Sequence, residues 1–112
     1  MDLARELATL APGDPSRVIA TLGDHVVRLA VFQGDSDWHA HPGTAEFFFV
    51  MEGELEMRLH GGATVTAGAG QGVLVPAGAT HRPRAARRTV LLCFKKADGP
   101  TQYFAEVAPG DG

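Results

Sequence analysis

Residues 39–53 read HAHPGTAEFFFVMEG, and the fold prediction starts from this stretch. His39 and His41 are separated by one residue, so on a strand their side chains point to the same face. After a Pro-Gly turn, the run from 45 to 52 is rich in apolar and aromatic residues and predicts a strand. Gly53 ends that run and predicts a turn, because glycine adopts positive φ at no steric cost.

The following run, 54–60, alternates between aliphatic and polar side chains. A two-residue turn at Gly53 predicts that it pairs with the run 45–52 as a hairpin, with these residues directly opposite one another: Val50 and Leu55, Phe48 and Met57, and Glu46 and Leu59. Directly opposed residues share a face of the sheet, so Glu46 is expected to point inward among apolar side chains. A carboxylate in such a place is costly unless another group pairs with it.

The nearest candidates for that partner are His39 and His41, because the Pro-Gly turn directs the chain from these histidines toward the strand that carries Glu46. Two imidazoles and a carboxylate that face inward favour a metal site, since one divalent cation satisfies all three groups. A further histidine, His81, follows a tight turn that the glycine and proline of 76–80 predict.

Two motifs in the chain resemble those of the cupin superfamily. Gly34-x4-His39-x-His41-x4-Glu46-x6-Gly53 is similar to the first cupin motif, and Gly70-x5-Pro76-x-Gly78-x2-His81 is similar to the second, with the short gap of small bacterial cupins. The resemblance implies an all-β double-stranded β-helix, or jelly-roll barrel, that holds one divalent metal ion with His39, His41, Glu46 and His81. The chain departs from the family pattern in having four residues before the histidine pair instead of five, and Ala85 where asparagine often follows.

Three neutral imidazoles and one carboxylate suit Fe, Mn, Ni, Cu, Co or Zn better than Mg or Ca, which prefer more oxygen ligands. With four protein ligands, a six-coordinate ion keeps about two open positions for water or substrate. The ligand set does not distinguish Lewis-acid catalysis, activation of water and orientation of a chelating substrate.

Two functions remain open from the sequence. The first is a metalloenzyme that acts on a small organic substrate, with oxygenase, isomerase and lyase chemistry all possible because the fold supports many activities. The alternative is a non-catalytic cupin that binds or senses a sugar or another small metabolite, since no general acid or base stands out beyond the ligands. No catalytic residue is assigned, although Tyr103 could donate a proton.

The rest of the chain predicts one domain. Leu3, Leu7 and Leu10 recur at helical spacing and predict a short helix that docks on the core, with residues 1–16 as helix and linker. The barrel is expected over 17–107 and a loose tail over 108–112. Turn residues divide the barrel into ten expected strands: 17–22, 25–33, 36–41, 45–52, 54–60, 63–66, 72–76, 80–84, 88–95 and 102–107.

Composition sets the class of protein. The chain has 112 residues and a formal net charge of −3, which fits one small domain and argues against nucleic-acid binding. A single cysteine, Cys93, excludes an internal disulfide and is expected to be a small buried apolar residue. The chain shows no membrane-spanning run and no secretory signal at its start, so we expect a cytoplasmic protein.

Several other side chains have two possible roles. Phe47, Phe49 and Met51 face away from Glu46, and we expect them to form a homodimer interface unless the helix or another strand covers them. A basic cluster binds an anionic substrate or, as is more usual, pairs with the surplus acids on the surface: Arg82, Arg84, Arg87 and Arg88. Phe48 and Met57 are expected in the barrel wall or core, Trp38 in the wall where it helps to close the pocket, and His25 and His60 in solvent.

Overall fold

The computed structural model describes residues 1–104, which fold as an all-β structure with a short helix at the start. This confirms the predicted fold class. The elements are α1 (Leu3–Ala8), β1 (Arg17–Leu22), β2 (His25–Asp35), β3 (Trp38–Ala40), β4 (Glu46–Glu52), β5 (Glu54–Leu59), β6 (Thr64–Gly68), β7 (Gly72–Val75), β8 (His81–Lys96) and β9 (Gln102–Phe104). The predicted strand 102–107 is described only as far as Phe104, and the predicted tail 108–112 lies outside the described residues.

Strand β8 is the common partner of the sheet. It pairs antiparallel with β2 along most of its length, with β5 near its start and with β4 near its end. The prediction of two separate strands at 80–84 and 88–95 was therefore wrong. Ala85 lies between those two runs, is buried, and pairs with Gly34 of β2, so the strand continues through it.

The predicted hairpin was also wrong, because β4 and β5 do not pair with each other. Each pairs with a different part of β8, and β4 also pairs with β7 while β5 pairs with β6. Gly53 has φ 88° and lets the chain turn the corner between these two parts. A Cβ at Gly53 would collide with the Thr89 hydroxyl and lie 2.7 Å from the Arg88 carbonyl oxygen.

The predicted faces nevertheless hold. Glu46, Phe48 and Val50 of β4 are buried, as are Leu55 and Met57 of β5. The four apolar residues meet in the apolar core, whereas Glu46 lies beside it. The core is formed by nine buried side chains: Phe48, Val50, Leu55, Met57, Ala67, Val73, Val75, Leu91 and Cys93. The alternation of the sequence thus assigned the inward side chains correctly although it paired the wrong strands.

Helix α1 is attached to the sheet by polar contacts. Its leucines are only half-buried, and no residue within it is fully buried, so the predicted docking on the core is partial. Arg17 donates to the Glu6 carboxylate at 2.7 Å and to the Glu6 carbonyl at 3.2 Å.

Among the residues that the structure describes, no helix has the length and apolar character needed to cross a membrane.

Candidate metal centre

The four candidate ligands lie in or next to three strands, β3, β4 and β8, which the sheet brings together. His39 lies in β3, and His41 follows that strand on the same face. Glu46 is the first residue of β4 and His81 the first residue of β8. His39 and His81 are register partners, so their rings lie side by side with centroids 4.2 Å apart.

One ligand atom from each of these four residues lies within 4.8 Å of all the others. The Glu46 Oε1 atom is 3.2 Å from His41 Nε2 and 3.7 Å from His81 Nε2. His81 is completely buried, His41 and Glu46 are buried, and His39 is half-buried. The cluster could therefore hold a metal ion that is shielded from water on most sides.

The other ring nitrogen of each histidine is already engaged. His39 Nδ1 lies 2.7 Å from the Asp37 carbonyl oxygen, and His81 Nδ1 lies 2.9 Å from the Ala79 carbonyl oxygen. A carbonyl oxygen only accepts hydrogen bonds, so both Nδ1 atoms carry a proton, and the tautomer that this selects has its lone pair on Nε2. His41 Nδ1 lies 3.1 Å from the Thr101 hydroxyl. The Nε2 atoms of His39 and His81 are thus free for a ligand, which is the arrangement typical of metal-binding histidines, and a hydroxyl that accepts from Nδ1 is compatible with the same tautomer in His41.

The cluster leaves buried polar atoms without a partner. Glu46 Oε1 and His81 Nε2 are both buried and form no hydrogen bond within the described residues. Leaving one such atom unsatisfied costs about 1–3 kcal/mol, and the charge of a carboxylate raises that cost. A divalent cation at the centre of the cluster would satisfy both atoms at once, so the residues present fit a metal.

The charge states suit such a cation. Burial raises the pKa of Glu46, but hydrogen bonds and positive charge from His41 and His81, when these rings are protonated, outweigh burial and lower the pKa to about 2, so the carboxylate is ionised at neutral pH. A cation at the centre of the cluster would favour the ionised carboxylate in the same way. Burial also lowers the pKa of His39, which favours its neutral form. A ligand carboxylate must be ionised and a ligand imidazole neutral, and both conditions are met by these two residues.

Two cavities adjoin the cluster. The larger, the polar cavity, has a volume of about 330 Å³, and its walls carry Ser16, Arg28, Lys95, Thr101 and Tyr103. The smaller, the apolar cavity, has a volume of about 170 Å³ and is lined by apolar side chains: Ala30, Phe32, Phe48, Pro83 and Leu91. Both cavities border His39 and Glu46, so the candidate ligands lie between them.

The basic cluster is largely paired with acids on the surface. Arg82 and Arg84 contact Asp35 at 3.4 and 3.2 Å. Arg84 also contacts Glu56 at 3.1 Å, and Arg88 contacts Glu52 at 3.0 Å. None of these arginines, nor the exposed Arg87, borders the polar or the apolar cavity. The surface interpretation of the cluster therefore describes these residues better than a substrate-binding one.

Five further residues considered in the sequence analysis differ in how far they are buried. His25 and His60 are exposed, as expected. Trp38 is buried, as predicted for a wall residue, and contacts the His60 ring edge-on. It borders neither cavity, because its side chain lies on the opposite face of β3 from His39. Cys93 is buried, and burial raises the pKa of its thiol. Tyr103 is 71% exposed and borders the polar cavity, with its ring 6.0 Å from that of His39.

Sequence reasoning missed five residues that line the polar cavity: Ser16, Arg28, Ser36, Lys95 and Thr101. Arg28 offered a signal, because it is the one charged residue in the apolar run from 26 to 32. Thr101 offered none, since its contact with His41 joins residues 60 positions apart.

Comparisons with known proteins agree with this architecture. The uncharacterized protein YdbB of Bacillus subtilis (strain 168) is 42% identical over 88 residues, which cover 79% of this chain and 78% of that protein. The crystal structure of a cupin-2 domain containing protein from Shewanella frigidimarina is similar with a TM-score of 0.81 and 27% identity, covering 86% of this chain and 93% of that one.

A hydroquinone 1,2-dioxygenase from Sphingomonas sp. TTNP3, crystallised with 4-hydroxybenzoate bound, shares the fold with a TM-score of 0.73. It is 18% identical, and the match covers 88% of this chain and 74% of that one. The family model described as the cupin domain matches residues 25–94, which is more than half of the chain. The chain therefore belongs to the cupin family, as its two motifs predicted.

Proposed function

We propose that His39, His41, Glu46 and His81 hold one divalent transition-metal ion, and that this centre serves a small organic molecule bound in the adjoining cavities. The observation that carries the proposal is the unsatisfied pair, Glu46 Oε1 and His81 Nε2, buried within 3.7 Å of each other. Two lone-pair atoms facing each other at this distance repel unless a cation or a proton lies between them.

The ligand set suits Fe, Mn, Ni, Cu, Co or Zn. When bound, such an ion would supply a Lewis acid with open positions for water or substrate. The protein's own contribution is to fix the ligands. The Asp37 and Ala79 carbonyls hold the tautomers of His39 and His81, and the Thr101 hydroxyl orients His41. Phe48 and Leu91 exclude water on the apolar side.

The first candidate function is a metalloenzyme of the oxygenase, isomerase or lyase type. The volumes of the two cavities, about 330 and 170 Å³, suit a molecule of a few to a dozen non-hydrogen atoms. The fold neighbour from Sphingomonas is a dioxygenase with a small aromatic molecule bound, which supports an organic substrate of that size here. Tyr103 borders the polar cavity and is placed to exchange a proton with a molecule there.

The second candidate is a cupin that binds or senses a small metabolite without transforming it. The cavity walls favour this function, because the described residues that line them include, besides the candidate ligands, no carboxylate or further histidine that could act as a general acid or base. Metal-loaded protein that binds a molecule saturably and yields no product, with no consumption of dioxygen, would identify this function. Turnover would identify the first.

The metal assignment has a direct test in metal uptake by protein made without a histidine tag. Purified protein is stripped with a chelator, reloaded with one metal at a time, and analysed for bound metal per chain. We expect one ion per chain in the wild type and loss of binding in His81→Ala. The matched control is His60→Ala, which removes an exposed histidine outside the cluster and should leave uptake unchanged. Absence of uptake by folded wild-type protein would contradict the proposal.

We further propose that the protein forms a homodimer through the outer face of β4. Of the three residues predicted for this interface, Phe47 is 38% exposed, and Phe49 and Met51 are half-buried. The register partner of Phe47 on β7, Leu74, is 63% exposed and extends the apolar surface. Their contiguity on one sheet face supports an interface. Sedimentation should give about twice the 11.8 kDa chain mass. Leu74→Asp should shift it toward the monomer, whereas Leu22→Asp, at an equally exposed leucine of β1, should not. A wild-type mass of one chain would contradict the dimer.

We also propose that the protein resides in the cytoplasm. The single, buried cysteine supports this location, because proteins of oxidising compartments commonly rely on disulfides. Cell fractionation with an antibody against the native protein tests the proposal, and recovery from a membrane or extracellular fraction would contradict it.

A further inference from the structure

The polar cavity contains two positively charged side chains, Arg28 and Lys95, that no sequence motif explains. We propose that this pair binds the carboxylate of a small organic acid, whose apolar part extends past the candidate metal ligands into the apolar cavity. The inference rests on the proposed function, because it names the class of molecule that the metal-bearing cavities receive.

The strand register places both cations on the inner face of the sheet. Arg28 of β2 is the register partner of Cys93, and Val26 is the partner of Lys95. Arg28 therefore shares a face with Ala30 and Phe32, which pack against the core cluster, and with Cys93 and Lys95 on β8. Arg28 and Lys95 are diagonal neighbours across the two strands, so one ligand group can reach both.

Neither cation has an acidic partner in residues 1–104. Arg28 bonds only to the Ser16 carbonyl and hydroxyl oxygens, both at 3.4 Å, which is near the limit for a hydrogen bond. Six other arginines of the described chain, in contrast, lie within 4.0 Å of a carboxylate outside the two cavities: Arg5, Arg17, Arg58, Arg82, Arg84 and Arg88. Most arginines on the outside of the sheet thus have a carboxylate partner, whereas Arg28 inside it has none among the described residues.

Within the cavity walls that the structure describes, Glu46 is the one acidic residue, and its carboxylate faces the histidines. Two like charges on neighbouring strands repel each other, and an anion between them would turn that repulsion into attraction. Burial and the nearby charge of Glu46 raise the pKa of Cys93, whereas the charges of Lys95 and Arg28 lower it, which agrees with both cations lying near this thiol. An arginine also presents two parallel donors that match a carboxylate.

The shape of the two cavities defines the rest of the ligand. Both cavities border Ser36, Cys93 and the candidate ligands His39 and Glu46, so one molecule can extend across them. The apolar cavity, at about 170 Å³, is lined by Phe32, Phe48 and Leu91. An apolar protein cavity of about 150 Å³ holds a benzene molecule, so this one accommodates an aromatic ring or a short alkyl chain.

The test compares benzoate with benzamide, its neutral counterpart of nearly equal shape. Binding of each probe to metal-loaded protein is measured by calorimetry at one fixed ionic strength. We expect benzoate to bind at least about tenfold more tightly than benzamide, as expected for a charge-assisted bidentate contact. Arg28→Gln should lower the affinity for benzoate by about tenfold and leave the affinity for benzamide unchanged, because only the charged contact is lost.

Matched variants complete the test. Arg58→Gln removes an outward arginine that is paired with Glu56 and should leave both affinities unchanged. Lys95→Gln serves as the second cavity variant if Arg28→Gln does not fold. Equal affinity for benzoate and benzamide, or full benzoate affinity in both cavity variants, would overturn the inference.

Metal content measured on the same samples separates this result from the proposed function. Full metal loading without preference for benzoate contradicts only the organic-acid site. A preference for benzoate that depends on Arg28 in protein that takes up no metal supports the anion site and contradicts the metal assignment.

Discussion

The interior of this protein contains two regions of opposite character, built on the same strands. In the apolar core, side chains such as Val50, Leu55 and Met57 are fully buried and packed against one another. At the polar cavity, a few residues away along β4, Glu46 is buried with an oxygen that has no partner. The contrast teaches that the core supplies the stability of the fold, whereas the cavity holds groups whose interactions are completed only by something bound.

The largest effect on folding should come from the core. Leu55→Ala removes a fully buried side chain and is expected to lower the free energy of unfolding by about 2–5 kcal/mol, through lost burial and the cavity left behind. Chemical denaturation measures the change. Leu22→Ala, at a leucine that is 64% exposed, is the control and should change it by no more than about 0.5 kcal/mol. An equal loss in both variants would break the distinction between core and surface.

Metal binding should stabilise the protein through the polar cavity alone. At a free metal concentration 100-fold above the dissociation constant, linkage gives about 2.7 kcal/mol of added stability, seen as a higher melting temperature. Glu46→Gln should lose this gain, because the amide replaces the anionic ligand oxygen. If Glu46→Gln gains as much as the wild type from added metal, another site accounts for the effect.

A smaller effect is expected from the side chain that orients His41. Thr101→Val removes the hydroxyl 3.1 Å from His41 Nδ1 and keeps a similar shape. We expect metal affinity to fall by about tenfold, at the lower end of the range for a residue that positions a ligand. Thr66→Val changes an exposed threonine of β6 and is the control. Competition with a metal-binding dye measures both, and unchanged affinity in Thr101→Val would show that the hydroxyl does not position His41.

The two regions also differ in how well the sequence predicted them. The alternation of apolar and polar residues assigned Phe48, Val50, Leu55 and Met57 to the interior and put Glu46 beside them, all as observed. The strand pairing was wrong because Gly53, with its positive φ, is equally compatible with a tight hairpin turn and with a corner between strands. The local sequence indicates which side chains of a strand face the interior, but it does not indicate which strand it pairs with. That pairing depends here on packing against β8, which is distant in sequence.

Of the residues that line the polar cavity, the sequence mainly predicted those that belong to the two motifs. His39, His41 and Glu46 are close in sequence, and the second motif supplied His81, so the sequence singled out the four residues that the fold brings together. Arg28, Lys95 and Thr101 enter the cavity through long-range pairing of β2, β8 and the segment before β9. A charged residue in an apolar strand is a readable signal for Arg28, but a contact such as Thr101 with His41 depends on the three-dimensional fold.

The central claim is that four side chains converge on one cation. The most direct measurement is a crystal structure of metal-loaded protein with anomalous diffraction data at the absorption edge of the metal. We predict a single anomalous peak per chain, about 2.0–2.3 Å from the Nε2 atoms of His39, His41 and His81 and from a carboxylate oxygen of Glu46. A peak elsewhere, or none at this position in protein that contains stoichiometric metal, would contradict the account.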